Sequence, residues 1–445
     1  MSEALLERVF KLKENNTNVR TEIIAGFTTF FAMSYIIFVN PNMLQITGMD
    51  FTAVMIATCV ASAIGCFLTA FIANIPFAQA PGMGLNAFFT FTLCQGMGYT
   101  WNQALAIVFI SGIIFLIITL TPLRSKVIES IPRSLKNAIA AGIGLFIAFI
   151  GLLNSGSGLV TVVDGQYVTD LGNLANSSVL LIVIGLILTG ALVAWKVKGA
   201  IFIGIIATTI IGIPLGVTSI PETLTYSNFS LAPTFLQLDF NLLSLGILPL
   251  VTAVVSLTMV DMFDSVGTLV GTATASNMAD KKGNFPKGDK ALVADAIATC
   301  TGALVGSSTV STFMESSTGI KEGGRTGLTA IVVGLLFLAA ILLGPLALMI
   351  PGAATAPALV IVGVAMLGSI RNVDWDDFEI ALPCFLTIVM MPFAYSISDG
   401  IGFGFISYML IKVLRGKAKE VPILMYIISI LFIIMYVIST YEHII

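Results

Sequence analysis

Long apolar segments separated by short polar loops divide the whole chain, and this pattern constrains the fold more than any other feature. Most segments approach the ~20 residues that a helix needs to cross a bilayer. Only 10% of the 445 residues are charged and 57% are hydrophobic, whereas soluble domains carry about 25% charged residues. The sequence therefore predicts an all-α polytopic membrane protein. It excludes a secreted disulfide scaffold, a soluble enzyme and, with a net charge of −3, nucleic acid as a partner.

Fourteen segments qualify as spans, and one extra apolar run follows them. We predict the spans, in chain order, at 22–39, 52–73, 84–95, 104–121, 138–153, 178–195, 200–217, 243–271, 291–306, 313–320, 328–349, 355–370, 380–396 and 399–414. The extra run at 422–440 either crosses the membrane or lies along its surface.

Lys and Arg gather in alternate loops. The basic stretches are 8–20, 124–136, 196–198, 281–290, 321–325 and 412–419. By the positive-inside rule, segment 1–20 is cytoplasmic, and the chain is a multi-pass protein of the cell inner (plasma) membrane, with the lipid bilayer as its surroundings. The acidic stretch 371–379 is predicted to be a solvated inside loop.

Two of the segments, 84–95 and 313–320, are too short to cross a membrane, and each follows an extended stretch. Prolines and glycines in 76–84 oppose a helix, and 307–312 is rich in β-branched and hydroxylated residues. Irregular backbone at membrane depth persists only when it is buried in protein or lines a cavity. We therefore expect two short strands, at broken helices 3 and 10.

The breaks occupy corresponding places in two halves of seven spans, 21–217 and 243–414. A weak match of 195–204 to 395–404 supports this division. An odd number of spans per half inverts the second repeat, and paired broken helices in inverted repeats indicate a secondary transporter with a site at the midplane.

Three acidic residues in predicted spans are singled out, because an Asp inside a span costs roughly 2.5–3.5 kcal/mol on insertion. They are Asp261, Asp264 and Glu315, and no Lys or Arg lies in the two spans that carry them. Burial disfavours the charged form of a carboxyl group, so these acids are suited to exchange protons. The alternative role for Asp261 is that of a structural anchor that bonds the backbone at the broken helix. Asp295 and Asp399 are expected at the membrane interface.

The sequence lacks the residues that an enzyme active site or a metal site would need. The chain has one histidine, His443, and five cysteines without a CxxC pair. Ser-His-Asp catalysis and a His-rich metal site are therefore excluded, and we expect neither a metal nor a cofactor.

Four long motifs, in order, are similar to those of the AzgA-like purine permeases, a branch of the nucleobase–ascorbate transporter superfamily. The motifs are residues 18–30, 81–89, 261–268 and 315–320, the last extended by 322–327.

The resemblance implies a 7+7 inverted-repeat fold with a core domain from spans 1–4 and 8–11 and a gate domain from spans 5–7 and 12–14. It implies proton symport of a purine, with guanine or hypoxanthine preferred. Asp264 and Glu315 match acids that hold the base, and Asp261 matches a second span-8 acid. Gly84 and Asn86 match the span-3 motif. Proton coupling is assigned to the same three acids.

A carboxylate accepts two parallel N–H bonds from a purine edge. Phe313 or Tyr35 is a candidate to stack on the ring, and Asn86 either bonds the base or ties the two strands together. Alternatives are an adenine-preferring permease, an anion transporter, a channel and a membrane enzyme. A homodimer is also compatible with the sequence.

Overall fold

A computed structural model describes residues 3–121, 130–153, 158–162, 169–220, 230–275, 278, 285 and 287–442. Parts of the basic stretches 124–136 and 281–290, and His443, lie outside the described residues.

The described chain is mainly helical. Its helices are α1 (Glu3–Phe10), α2 (Val19–Met33), α3 (Ile36–Leu44), α4 (Phe51–Leu68), α5 (Met83–Ala87), α6 (Trp101–Leu120), α7 (Arg133–Leu153), α8 (Ser177–Ala194), α9 (Ala200–Gly212), α10 (Ile247–Ala275), α11 (Gly288–Val305), α12 (Ser316–Lys321), α13 (Gly327–Ala340), α14 (Gly344–Ala347), α15 (Gly352–Leu367), α16 (Phe378–Phe393), α17 (Ile397–Leu414) and α18 (Ile423–Glu442). Its strands are β1 (Gln79–Pro81), β2 (Val160–Val162), β3 (Thr169–Leu171) and β4 (Val310–Thr312).

Membrane-crossing helices dominate the fold. Eight helical segments of the described chain are long and apolar enough to cross a bilayer, and four more helices are apolar but shorter. They follow the predicted spans closely, and the chain is a multi-pass membrane protein. The predicted loop 371–379 is wrong at its end, because Glu379 lies in the first turn of α16 with its side chain only 9% exposed.

Short polar side chains set where several of these helices begin. Asp50 accepts a 2.7 Å hydrogen bond from the backbone N–H of Ala53 at the start of α4. Thr100 and Gln103 form a reciprocal capping box at the start of α6. These contacts satisfy N–H groups that have no partner inside the helix, so the apolar helix can begin at a defined residue.

The two predicted extended stretches meet as a pair of strands. β1 runs antiparallel to β4, with Gln79 opposite Thr312 and Pro81 opposite Val310. Helix α4 continues as a wider helix to Ala73 and ends at Asn74, whose φ is 48°. Each strand then leads into a short helix, α5 or α12, and this confirms the prediction of strands at broken helices 3 and 10.

A second strand pair was not predicted. β2 and β3 form an antiparallel pair within the stretch that joins the predicted spans 138–153 and 178–195. β2 contains only Val and Thr, which favour strands because their branched side chains suit a pleated surface.

The long helices pack as two groups. In the core, α13 packs on α2 and α4, and α11 packs on α4 and α6. In the gate, α15 packs on α7 and α8, and α16 packs on α7 and α17. The strand pair lies in the core group and faces the gate. The fold is the predicted 7+7 inverted-repeat arrangement with core and gate domains.

One detail of the repeat match shifts. Lys196 follows α8 with φ 58°, and Tyr395 follows α16 with φ 53°. These left-handed residues occupy equivalent places after the sixth and thirteenth spans, so the structure aligns Lys196, rather than Trp195, with Tyr395.

The extra C-terminal run forms α18, which packs against α17 and also contacts α10. A Cβ at Gly402 of α17 would lie 2.5 Å from the Tyr436 hydroxyl and 2.7 Å from the Phe432 ring. The absence of a side chain at Gly402 therefore lets α18 approach α17 closely.

Candidate functional site

A cavity of about 230 Å³ lies between the strand pair and the gate helices. Five predicted site residues line it: Tyr35, Gly84, Asp264, Phe313 and Glu315. Backbone from both breaks forms part of its wall, since Gly82 and Ser311 also line it.

Glu315 comes directly before α12. The turn of the chain between β4 and α12 brings its side chain to the cavity. Its Oε1 accepts a 2.7 Å hydrogen bond from the hydroxyl of Tyr35, which belongs to the kink between α2 and α3. The Tyr35 ring is 1% exposed and lies 6.4 Å from the Phe313 ring at a tilt of 44°. Tyr35 therefore orients the carboxylate through its hydroxyl, and Phe313 packs beside the tyrosine ring.

The two acids of α10 point in different directions. Asp264 faces the cavity, where Ser311 of β4 lies 3.4 Å from its Oδ2. Asp261 is fully buried and accepts a 3.1 Å hydrogen bond from Thr299 of α11. Its second oxygen, Oδ1, has no hydrogen-bond partner among the described residues.

Asp295 is the main departure from the expected placement. It was expected at the membrane interface, but it is fully buried behind the strand pair. Its Oδ1 accepts 3.0 Å hydrogen bonds from both Gln79 and Thr312, which face each other across the strands. Its Oδ2 accepts from Ser265 of α10. The expectation was wrong because Asp295 lies about two turns into α11, where that helix packs inside the core.

Asn86 does not line the cavity. Its side chain is fully buried, and its Oδ1 accepts a hydrogen bond from Ser308, just before β4. Its Nδ2 has no partner among the described residues. Of the two roles considered, this placement favours a tie between the two broken segments.

Gly84 lies where the core meets the gate. A Cβ at this position would lie 2.6 Å from Cγ2 of Ile143 on α7. Real Cβ contacts are essentially never this short, so the close approach of the strand region to α7 depends on glycine here.

The gate wall was missed by the sequence analysis. It consists of aliphatic residues that look like ordinary membrane-helix residues: Val193, Ile201, Ile361, Val362, Ala365 and Met366. Only a three-dimensional structure identifies them, since they carry no polar or periodic signal. Val193 lies in the last turn of α8 and Ile201 in the first turn of α9, so the cavity extends toward the basic loop 195–199.

The cavity offers two carboxyl groups, hydroxyls and strand backbone to a ligand. Within the described chain, no Lys or Arg pairs with Asp264 or Glu315. The described residues also include no cluster of three potential metal ligands. The site therefore suits a flat, neutral ligand whose N–H groups donate to carboxylates.

Comparisons with known proteins support the assignment. A model described as "Permease family", for xanthine/uracil permeases, matches residues 20–403. Adenine permease AdeP of Escherichia coli is 43% identical, with 97% of this chain and 96% of AdeP covered. Guanine/hypoxanthine permease PbuG of Bacillus subtilis is also 43% identical, with 97% and 99% covered.

Among solved structures, the transmembrane domain of the cyanobacterial bicarbonate transporter BicA superposes with a TM-score of 0.63. It is 19% identical, with 86% of this chain and 97% of that chain covered, and so it supports the fold alone. Membership of a permease family makes the chain a transporter and not an enzyme. The chain belongs to the xanthine/uracil permease family and, within it, to the AzgA-like branch of the nucleobase–ascorbate transporter superfamily.

Proposed function

We propose that the chain imports a purine nucleobase by proton symport and holds the base between Asp264 and Glu315. The observation that carries this proposal is the meeting of both carboxyl groups at one cavity, where Tyr35 fixes Glu315 and neither acid forms an ion pair with a Lys or Arg of the described residues. Each carboxylate can accept N–H groups from one edge of a base. The hydroxyl of Ser311, which also lines the cavity, can pair with a remaining edge atom.

The preferred substrates are guanine and hypoxanthine, and adenine is the alternative. Relatives named for either preference are equally similar, at 43% identity. All of these bases are flat and neutral and present N–H donors. The shared chemistry supports a purine, and the choice among purines has to be measured.

An anion transporter is the second candidate, because BicA has the same fold. Anion binding requires positive potential at the site. Two carboxyl groups face this cavity, and a third, Asp261, lies one helical turn away on α10. Their presence disfavours an anionic substrate.

Three acids are proposed to couple transport to protons: Asp261, Asp264 and Glu315. Oδ1 of Asp261 is buried and has no hydrogen-bond partner in the part of the chain that the structure describes, and such an oxygen is destabilised in an anionic carboxylate. Binding a proton relieves this cost. Protonation during inward transport would therefore let the core move without a net buried charge.

Uptake of radiolabelled guanine, hypoxanthine and adenine by a permease-deficient host tests this function. The wild-type chain is expected to accumulate a purine, and Asp264→Asn and Glu315→Gln are each expected to abolish accumulation. Asp376→Asn, in the exposed loop before α16, is the matched control and should leave uptake unchanged. Wild-type uptake by a well-expressed Asp264→Asn or Glu315→Gln variant would remove that acid from the site.

A further inference from the structure

A second and larger cavity, of about 630 Å³, lies on the face opposite the basic loops. The end of the helix that follows β1, the start of α10, the start of α17 and the end of α18 surround it. Polar and aromatic side chains on its wall are Thr92, Gln95, Tyr395, Ser396, Asp399 and Tyr436. Charge asymmetry makes this the outer face of the protein.

A carboxylate–tyrosine pair forms one side of the outer cavity. Asp399 lies in the first turn of α17, and its Oδ1 accepts a 3.0 Å hydrogen bond from the hydroxyl of Tyr436. The central site contains the same arrangement, in which Tyr35 donates to Glu315 over 2.7 Å. Both carboxylates are only partly exposed and keep a lone pair for a ligand.

Aromatic rings on the wall add a surface on which a flat ligand can stack. Phe403 and Tyr436 have ring centroids 5.5 Å apart at a tilt of 35°, and both line the cavity. The ring of Tyr395 forms another part of the wall. A carboxylate beside aromatic faces suits a planar heterocycle that donates N–H groups.

An aromatic layer separates this cavity from the central one. Phe91 of the core lies 5.3 Å from Tyr395, and Phe146 of the gate lies 5.6 Å from Tyr395, between ring centroids. Phe146 is one turn beyond Ile143 on α7, and Ile143 contacts Gly84 at the central site. A ligand in the outer cavity would therefore occupy a distinct position on the way to Asp264.

We propose that the outer cavity is a second binding site, specific for the same class of planar N–H-donating base, with Asp399 as the acceptor and Tyr436 as the residue that positions it. This inference rests on the proposed function. It also gives α18 a role, because the helix that lies beyond the fourteen spans supplies Tyr436 and completes the site.

Equilibrium binding of radiolabelled hypoxanthine and guanine to the purified full-length protein tests the proposal. The wild-type chain is expected to bind two molecules of base per chain. Asp399→Asn and Asp264→Asn should each bind one. Tyr436→Phe should weaken the outer site by roughly 10-fold, the effect of losing a hydrogen bond to a charged group.

Tyr426→Phe is the matched control, because it removes a hydroxyl from the same helix at a distance from the cavity, where that hydroxyl donates to the Ala418 carbonyl. It should bind two molecules with unchanged affinity. Thermal unfolding of each variant identifies any loss of folded protein.

The two proposals fail in different ways. A wild-type chain that binds one base, lost in Asp264→Asn and kept in Asp399→Asn, overturns the outer site and leaves the proposed function standing. A chain that binds no purine overturns both. Two bound molecules that persist in a folded Asp399→Asn variant also overturn the outer site.

Discussion

The hydroxyl of Tyr35 donates a 2.7 Å hydrogen bond to Oε1 of Glu315, although the two residues are 280 positions apart in the chain. The bond joins the first span of one half to the broken helix of the other half. It holds one oxygen of the carboxylate in a defined position at the cavity. The inverted repeats thus meet at a polar contact in the candidate site, and this contact can be tested directly.

Tyr35→Phe removes this hydrogen bond and keeps the ring beside Phe313. Loss of a hydrogen bond to a charged group costs about 1.5–3 kcal/mol, so we expect purine affinity to fall by roughly 10- to 100-fold. Binding to purified protein measures the effect. Phe313→Leu is a useful comparison, since it alters packing without touching the carboxylate. Unchanged affinity in Tyr35→Phe would show that Glu315 needs no positioning.

Asp295→Asn should destabilise the strand pair. The carboxylate accepts hydrogen bonds from Gln79 and Thr312 through Oδ1 and from Ser265 through Oδ2, and an amide replaces one of these two acceptor oxygens with a donor. An unsatisfied buried polar group costs about 1–3 kcal/mol of unfolding free energy.

Transport by Asp295→Asn and its thermal unfolding midpoint are the two measurements, and both are expected to fall. Asp376→Asn serves again as the exposed control. A folded Asp295→Asn variant with normal stability and normal uptake would mean that these hydrogen bonds do not hold the strands in register.

Gly84→Ala should slow transport through a clash with the gate. The added Cβ would lie 2.6 Å from Ile143, so the observed contact between core and gate has to open. Ile143→Ala creates space at the same point. The double variant is therefore expected to recover part of the uptake rate that the single variant loses, at equal membrane abundance. Additive losses in the double variant would argue against a direct contact.

Glu379→Gln should lower the thermal unfolding midpoint by several degrees. Glu379 forms ion pairs with Lys412, Arg415 and Lys417, and both Glu379 and Lys412 have side chains only 9% exposed. In Glu379→Gln the buried Lys412 keeps only the pair with the more exposed Glu420 among the described residues, so its charge is less well compensated.

Lys198→Gln is the matched control for the Glu379 variant. Its pair with Glu322 is more exposed, at 63% and 32% of the two side chains, and exposed pairs contribute little. An equal shift in both variants would show that burial does not determine the effect.

Purine uptake should depend on the proton gradient. We expect a protonophore to abolish accumulation, and a fall in external pH from neutral to raise the initial rate, because a carboxyl group that carries the coupled proton loads more readily at lower pH. Uptake in proteoliposomes with imposed gradients measures this. An uptake rate that follows sodium and ignores the proton gradient would assign coupling to another ion.

Much of the fold could be predicted from local signals. Apolar length and loop charge located the spans, because the bilayer imposes both requirements on each helix separately. Prolines and glycines in 76–84 and hydroxyl-rich residues in 307–312 located the breaks. Asp264 and Glu315 were identifiable because charged residues are costly within a span.

Residues whose roles depend on distant partners could not be recognised in this way. Asp295 appeared interfacial until the structure placed Gln79 and Thr312 around it. The aliphatic gate wall, with Ile201 and Met366, has no distinguishing composition. Asn86 could have bonded a base or a strand, and only its contact with Ser308 favours the second role.

The sequence by itself determined that this is a membrane transporter with two broken helices and with acidic residues at the same membrane depth as the breaks. Hydrophobic length, residues that interrupt a helix and charged residues within a span are properties of each segment separately. Only the tertiary structure decided which acid of this helix faces the cavity and which is buried in the core. Asp261 and Asp264 are three residues apart on one helix, and their surroundings come from different elements, α11 for one and β4 for the other. Such differences arise from packing between segments far apart in the chain.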